Sequence, residues 1–236
     1  MMKVLLTTLI MMLACTSSYS QPRLEISDTD FDFGYTPLNT KLVNRFWFKS
    51  VGTDTVVIND IKTGCACAVM PLEKNRIAPG DSMRVGVFWD VKNNLGPTGR
   101  TVRIYTNASQ DPLRLHMKAV VRPTLDSARP VSVKPFRCEL AKSSRAVIDS
   151  ISFTLTNHTD EDVSVALVSS FPDECELVLP DTIKALASSR GYVKVKPEYA
   201  DMEFETSMTL LFSDQEASRL TVPIRRKFYF ADTKGQ

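Results

Sequence analysis

The residues best suited to chemistry in this sequence are two closely spaced cysteines, Cys65 and Cys67. A bond between residues two apart requires a turn or a bulge, which the nearby Gly64 and Pro71 allow. Besides a structural pair, three functions are open: a strained and easily reduced disulfide, a thiolate pair for Cu(I) or Zn(II), or a redox-active dithiol. Structural zinc usually takes four ligands, and a thioredoxin-like site needs a Cys-x-x-Cys motif, so we favour the structural role.

Two further cysteines, Cys138 and Cys175, lie in the second half of the sequence. Together with Cys65 and Cys67 they allow three complete pairings. We favour the arrangement that keeps each bridge within its own half, which joins Cys65 to Cys67 and Cys138 to Cys175. The alternative is that Cys138 and Cys175 are buried free thiols.

Other catalytic arrangements are weak in this sequence. It contains two histidines, no persuasive Ser-His-Asp order, and no Gly-x-Ser-x-Gly, P-loop or Gly-x-Gly-x-x-Gly motif. Carboxylate pairs occur at Asp160/Asp162 and Glu203/Glu205, but a glycosidase pair is defined by its separation in space, which the sequence of a β protein does not reveal. We therefore expect no enzymatic activity, no bound metal and no cofactor, and a carboxylate-dependent hydrolase is the weakest alternative.

The composition sets the class of protein. The chain has 236 residues, of which 43% are hydrophobic and 24% charged, and this excludes a disordered or collagen-like chain. At roughly 100–200 residues per domain, the length predicts one or two domains. The formal net charge of +2 gives no reason to expect a nucleic-acid partner, which would require a concentrated basic surface.

The first twenty residues have the pattern of an export signal. A basic start precedes an apolar run of about a dozen residues that ends at Cys15 and is too short to span a bilayer. Small residues at Ser18 and Ser20 favour a signal peptide over residues 1–20, with cleavage after Ser20. The alternative is a lipoprotein signal in which Cys15 is acylated. No later segment is apolar enough to span a membrane, so we expect an exported mature chain without a transmembrane span.

Downstream of this segment the hydrophobic pattern is that of β-strands. Polar and apolar residues alternate in several runs, as a half-buried strand requires. Clusters of Gly, Pro and Asn separate the runs, which is typical of antiparallel sandwiches. The clearest runs are 45–49, 83–87, 113–119, 150–155 and 192–196.

The chain also repeats itself. A shift of 107 positions aligns residues 31–61 with residues 138–168 without a gap, and polar and apolar positions stay in phase. A segment bracketed by Pro123 and Pro130 separates the two halves. The sequence therefore predicts an all-β protein of two tandem immunoglobulin-like antiparallel β-sandwich domains, residues 21–122 and 123–236, after the signal peptide.

The first half carries an ordered set of landmarks. Phe31-Asp32-Phe33-Gly34 is followed by a strand with Phe46 and Phe48, then by Gly64-Cys65-Ala66-Cys67 and by Ile77-Ala78-Pro79-Gly80. In this order the sequence resembles an uncharacterised exported Bacteroidetes family of Ig-like domains with a Cys-Gly-Cys-Thr motif, and more widely hydin-like and major-sperm-protein-like sandwiches. The resemblance covers residues 24–121, with alanine at positions 66 and 68 in place of the motif's glycine and threonine. It implies an Ig-like sandwich with a non-enzymatic role in the periplasm, in the outer membrane or at the cell surface of a Gram-negative bacterium.

Trp47 is the main candidate for surface recognition. If the phenylalanines on either side face the core, Trp47 faces outward between the cations Arg45 and Lys49. Outward aromatic residues beside cations suit contact with a protein or a carbohydrate. An outward Tyr105 would extend the same surface. The alternative is that Trp47 packs under the second domain or under a loop.

One further pattern concerns covalent modification. Asp followed by Ser or Thr, and then by an aliphatic residue, is similar to the O-glycosylation acceptor of exported Bacteroidetes proteins. The same triplets are also ordinary turn chemistry before an apolar strand residue. The candidate acceptors are Thr55, Ser82, Ser127, Ser150 and Thr182.

These observations predict an exported, non-enzymatic adaptor or binding protein of the bacterial cell envelope. It would act through surface recognition, by edge-strand pairing or by aromatic contact. The expected partner is another envelope protein or a glycan. The first alternative function is thiol redox chemistry or soft-metal handling at Cys65 and Cys67.

Overall fold

The computed structural model describes residues 20–64, 67–93, 95–126, 128–170 and 172–229. Within these ranges the regular structure is all β, apart from a short 3-10 helix at Pro197–Tyr199. The all-β class predicted from the alternating runs is therefore confirmed. No helix in these ranges is long and apolar enough to cross a membrane.

Residues 24–122, here called the first sandwich, form nine strands in two layers. One layer has the order β1-β3-β7-β5, and the other has the order β6-β4-β8-β9-β2. The strands are β1 (Leu24–Ile26), β2 (Asp30–Pro37), β3 (Thr40–Ser50), β4 (Val56–Lys62), β5 (Cys67–Val69), β6 (Arg76–Ile77), β7 (Ser82–Val91), β8 (Gly96–Thr106) and β9 (Leu113–Arg122).

Residues 131–229, here called the second sandwich, repeat this arrangement. One layer has the order β10-β13-β17-β15; in the other, β16-β14-β18-β19 is completed by β11 beside β19. The strands are β10 (Val131–Lys134), β11 (Cys138–Ser143), β12 (Val147–Ile148), β13 (Ser150–Asn157), β14 (Val163–Leu167), β15 (Cys175–Val178), β16 (Thr182–Ile183), β17 (Ser188–Val195), β18 (Phe204–Phe212) and β19 (Arg219–Tyr229). The shared topology predicted from the internal repeat is confirmed.

Each sandwich has its own hydrophobic core between its two layers. In the first, Phe31, Phe33, Phe46 and Trp89 meet in edge-to-face contacts, with ring centroids 4.8 to 6.1 Å apart. The second core contains Phe153 and the apolar residues of β18 and β19. Alternation along β9 and along the second half of β3 places one side of each strand in this core, as the sequence pattern predicts, whereas Leu42, Val43 and Asn44 of β3 are all buried.

The two sandwiches share a sheet, because β19 pairs with β2 in parallel at Leu220 and Tyr35. The pairs β2–β9 and β11–β19 are also parallel, whereas the remaining pairs are antiparallel as predicted. Periodicity did not indicate these parallel pairs, since both kinds of strand alternate in the same way. Although the linker falls between β9 and β10, the predicted domain limits remain a prediction, because the shared sheet joins the halves.

Gly34 makes this junction possible. Its φ is +64°, a left-handed conformation that favours glycine, and a Cβ at this position would overlap the carbonyl oxygen of Arg219 on β19. The Arg219 side chain also donates a hydrogen bond of 3.1 Å to the carbonyl of Asp32. The glycine of the Phe31–Gly34 landmark therefore lies directly against the main chain of the second sandwich.

Candidate interaction surface

The outer side of β3 is partly covered by the second sandwich. The amide of Val43 donates to the Ser207 hydroxyl at 2.9 Å, and that hydroxyl donates to the Val43 carbonyl at 3.0 Å. The amide of Arg45 donates to the Ser170 hydroxyl at 3.0 Å. These contacts hold the middle of β3 against the second sandwich, whereas the last residues of β3 pair with β1.

A group of ion pairs also joins the two sandwiches beside β3. Arg45 donates to Glu174 at 2.8 Å, and its Nε lies 3.6 Å from Asp173. Arg84 donates two hydrogen bonds, of 3.0 and 2.9 Å, to the two oxygens of Asp173. Burial alone would raise the pKa of Asp173, but the hydrogen bond from Arg84 and the nearby cations lower it below its ordinary value.

Arg45 is therefore not part of an open surface, and this part of the sequence interpretation is wrong. Its side chain is only 9% exposed, because the turn that carries Asp173 and Glu174 covers it. Sequence reasoning also missed Arg84 as a member of the surface. The outward position of Arg84 within the alternating run 83–87 was the available signal, whereas nothing local indicated the two acids.

Trp47 lies at the border of this contact and is 49% exposed. It is directly opposite Arg84 in the β3–β7 register, and the guanidinium carbon of Arg84 lies 5.8 Å from the centre of the indole ring. Lys49, two residues along the same strand, is also exposed. Trp47, Lys49 and Arg84 form what we call the Trp47 surface.

Tyr105 does not extend this surface. It lies on β8 in the other layer, with the Lys62 ammonium 5.1 Å from the centre of its ring. Since Trp47 and Tyr105 both point away from the core that separates their layers, they lie on opposite sides of the first sandwich. The expectation of one continuous aromatic surface is therefore wrong.

The cysteines form no bridge in the described residues. Cys138 and Cys175 are buried free thiols, as in the alternative considered from the sequence, and not the bridged pair that we favoured. Burial in the second core raises the pKa of each to about 12, so both are protonated at neutral pH. Cys67 is also a free thiol, whose pKa burial raises to about 11, while Cys65 lies outside the described residues. A thiol with so high a pKa is a poor nucleophile at neutral pH.

No group of three or more His, Cys, Asp or Glu residues in the described ranges is arranged to hold a metal ion. A cleft of about 150 Å³ between the sandwiches brings together three acids and three cations, namely Lys41, Asp90, Arg137, Glu139, Glu205 and Arg225. Glu205 forms an ion pair with Lys41, and Glu139 accepts a hydrogen bond of 2.9 Å from Arg225. A hydrolytic pair needs one acid whose pKa an apolar setting raises, and these two acids each face a cation instead.

The modification candidates occupy varied positions. Ser82, Ser150 and Thr182 are exposed, and Thr55 is half-buried. Ser127 and the lipidation candidate Cys15 lie outside the described residues. Glycosylation and acylation of these residues remain predictions.

The sequence of the first sandwich matches a known sequence family. Residues 24–121 match the family described as "Protein of unknown function (DUF1573)". The match agrees with the range of the predicted resemblance, but it does not show the Cys-Gly-Cys-Thr motif. No curated protein matches the sequence.

Several solved structures show a weak likeness to this chain. A protein of unknown function from Porphyromonas gingivalis W83 has 10% identity and a TM-score of 0.34, and the match covers 86% of this chain and 99% of that one. WR4, an MSP family member of C. elegans, has 11% identity and a TM-score of 0.34 over 42% of this chain and all of its own. The CupB2 chaperone of Pseudomonas aeruginosa has 12% identity and a TM-score of 0.32 over 84% and 98%. All these TM-scores are below 0.5, so the likenesses carry no argument about function.

Proposed function

We propose that this protein is an exported, non-enzymatic adaptor of the bacterial cell envelope that binds another envelope protein through the Trp47 surface. The observation that carries the proposal is the setting of Trp47: its ring is half exposed, yet Arg84 lies against it while Asp173 holds Arg84 from the other sandwich. Side chains that are ordered before binding lose less entropy when a partner arrives. Trp and Arg are also the residues that most often dominate the affinity of protein interfaces.

Aromatic contact is better supported than edge-strand pairing as the mode of recognition. The edge strands β1, β5, β10 and β15 are only three or four residues long, and β6 and β16 have two residues each. Short edge strands offer few main-chain hydrogen bonds to an added strand, and proteins use them to discourage such pairing.

The test is affinity capture from gently extracted envelopes with three tagged proteins: wild type, Trp47→Ala and Tyr105→Ala. Tyr105 is the matched control because it is an outward aromatic residue on the opposite side of the same sandwich. We expect a partner recovered equally by wild type and Tyr105→Ala, and roughly 30-fold less by Trp47→Ala, the effect of losing a hot spot of about 2 kcal/mol.

Equal recovery by the Trp47→Ala protein would overturn the proposal. Circular dichroism of the three proteins checks that the variants keep their fold, which the exposure of Trp47 leads us to expect. Protease treatment of the extract before capture distinguishes a protein partner, which it removes, from a glycan, which it leaves.

A further inference from the structure

Three cations form a straight row on the outer side of the large sheet, across β4, β8 and β9. Lys62 lies directly opposite Arg103, and Arg103 directly opposite Arg114. All three side chains are exposed. This row lies in the layer opposite the Trp47 surface, beside Tyr105.

The row is electrostatically unfavourable as it stands. Neighbouring strands are only about 4.8 Å apart, and like charges directly opposite each other destabilise a sheet. Lys62 has one ion pair, a loose one of 3.9 Å to Asp60. Throughout the described ranges, neither Arg103 nor Arg114 forms a salt bridge. Nothing in the fold requires three cations here, since their side chains contribute nothing to the core.

Different residues occupy the corresponding row of the second sandwich. By strand register, Thr209 and Thr221 correspond to Arg103 and Arg114, and Val168 takes the place of Lys62 opposite Thr209. Both threonines are buried, and their hydroxyls lie 2.9 Å apart. Thr221 donates to the carbonyl of Phe33 in the first sandwich at 2.5 Å. In the second sandwich this position is therefore a protein contact.

We propose that Lys62, Arg103 and Arg114 form a second docking surface, which binds an acidic segment of a partner protein. Guanidinium groups accept carboxylates in a planar, two-bond geometry, and a row at strand spacing suits acidic residues along an extended chain. Asp60 forms a loose ion pair with Lys62 at one end of the row, and two rows further along the sheet Asp32 lies 3.3 Å from Lys118, so the charges around the row are mixed. This setting suits a short acidic segment of a protein better than a long uniform polyanion such as heparin.

The surface is independent of the function proposed for Trp47, because the two lie in opposite layers of the first sandwich. The probe is a fluorescein-labelled octaglutamate peptide, followed by fluorescence anisotropy at low salt. We expect wild-type protein to bind it, with affinity that falls as salt is added. The double variant Arg103→Gln/Arg114→Gln should bind about tenfold more weakly, since two exposed ion pairs are lost.

The matched control is Lys74→Gln/Lys92→Gln, which removes the same net charge at two exposed lysines elsewhere on the first sandwich. We expect this variant and Trp47→Ala to bind the peptide like wild type. Three results would overturn the proposal: no binding by wild type, equal weakening by both double variants, or binding of heparin or phosphatidylglycerol vesicles without binding of octaglutamate. The last result would assign the row to a polyanion or a lipid surface.

Discussion

The large sheet has the same strand order in both sandwiches, but its outer sides differ completely. Along β9 of the first sandwich, buried and exposed residues alternate, so one side faces solvent. Along β19, five consecutive residues, Leu220–Ile224, are buried, because the first sandwich covers the side that β9 leaves open. The contrast is sharpest at the corresponding residues Arg114 and Thr221. The repeat has kept its topology and core pattern, while the polar residues of the outer side decide whether that side is an interface.

The edges of the two large layers also differ, because one accepts a strand of the neighbouring sandwich and the other does not. On β2, Gly34 leaves room for the main chain of β19. The corresponding residue of β11 is Ala141, which lies opposite Ile148 of the short strand β12. The second sandwich thus covers with its own hairpin the edge at which the first accepts a neighbour. Covering an edge in this way prevents further strands from adding to it.

The largest effect is expected when a residue of the open side is placed on the covered side. Thr221→Arg would bury a guanidinium beside Thr209 where the pocket fits a hydroxyl. We expect it to lower the free energy of unfolding by at least about 4 kcal/mol, or to prevent folding. The milder Thr221→Val, which leaves the Phe33 carbonyl without its donor, should cost about 1–2 kcal/mol. Urea unfolding measures both, and a wild-type midpoint for Thr221→Val would contradict the described contact.

The next effect concerns Gly34, where we expect Gly34→Ala to lower the free energy of unfolding by roughly 2–4 kcal/mol. The added methyl group would collide with the Arg219 carbonyl in addition to the cost of a positive φ. Gly80→Ala is the control, because Gly80 also has a positive φ of 81° but has nothing within 4 Å of an added Cβ. That variant should lose only about 1 kcal/mol. Equal losses in the two variants, measured by thermal and urea unfolding, would show that the close approach to β19 does not matter.

The sequence was sufficient to predict the fold of each half but not how the two halves meet, and the reason is physical. Side-chain alternation is a local property, so the inward position of Phe46 and the shared strand order of the halves could be read from short runs. The burial of Arg45 depends on Glu174, which is 129 residues away, and on how two preformed layers meet. No local pattern contains that information. The same limit explains why Trp47 was correctly placed outward while Tyr105 was wrongly joined to it.

A smaller effect is expected from Arg45→Ala at the junction. The substitution leaves Glu174, whose side chain is 14% exposed, without its cation. We expect a loss of about 2–3 kcal/mol, since removing one partner of a buried ion pair leaves an uncompensated charge. Lys41→Ala is the control: it removes another inter-sandwich ion pair, but one whose lysine is half exposed, and it should cost less than about 1 kcal/mol. Equal losses of unfolding free energy in the two variants, measured by urea unfolding, would contradict the burial of Arg45.

The junction should also weaken in acid. Because the pKa of folded Asp173 lies below its ordinary value of 3.8, its contribution to stability is complete above that pH and is lost as the pH falls through the lowered pKa. Asp173→Asn should therefore flatten the fall in unfolding free energy below pH about 4. Asp111→Asn, at an exposed acid on a turn, is the control and should leave the slope unchanged. The measurement is urea unfolding at several pH values, and identical slopes for wild type and Asp173→Asn would refute the assignment.

The smallest effect on stability is expected from the reverse exchange, Arg114→Thr, which gives the open side the residue of the covered one. Arg114 is exposed and makes no salt bridge in the described part of the chain, so we expect a change within about 0.5 kcal/mol. A slight gain is the favoured sign, because the exchange removes one of two cations that face each other across β8 and β9. Urea unfolding of Arg114→Thr and Thr221→Arg side by side measures the asymmetry directly. A loss above about 1 kcal/mol in Arg114→Thr would mean that the arginine stabilises the sheet. A neutral result would mean that Arg114 does not stabilise the sheet. Ligand binding would then be the reason that the first sandwich carries this row of cations and the second does not.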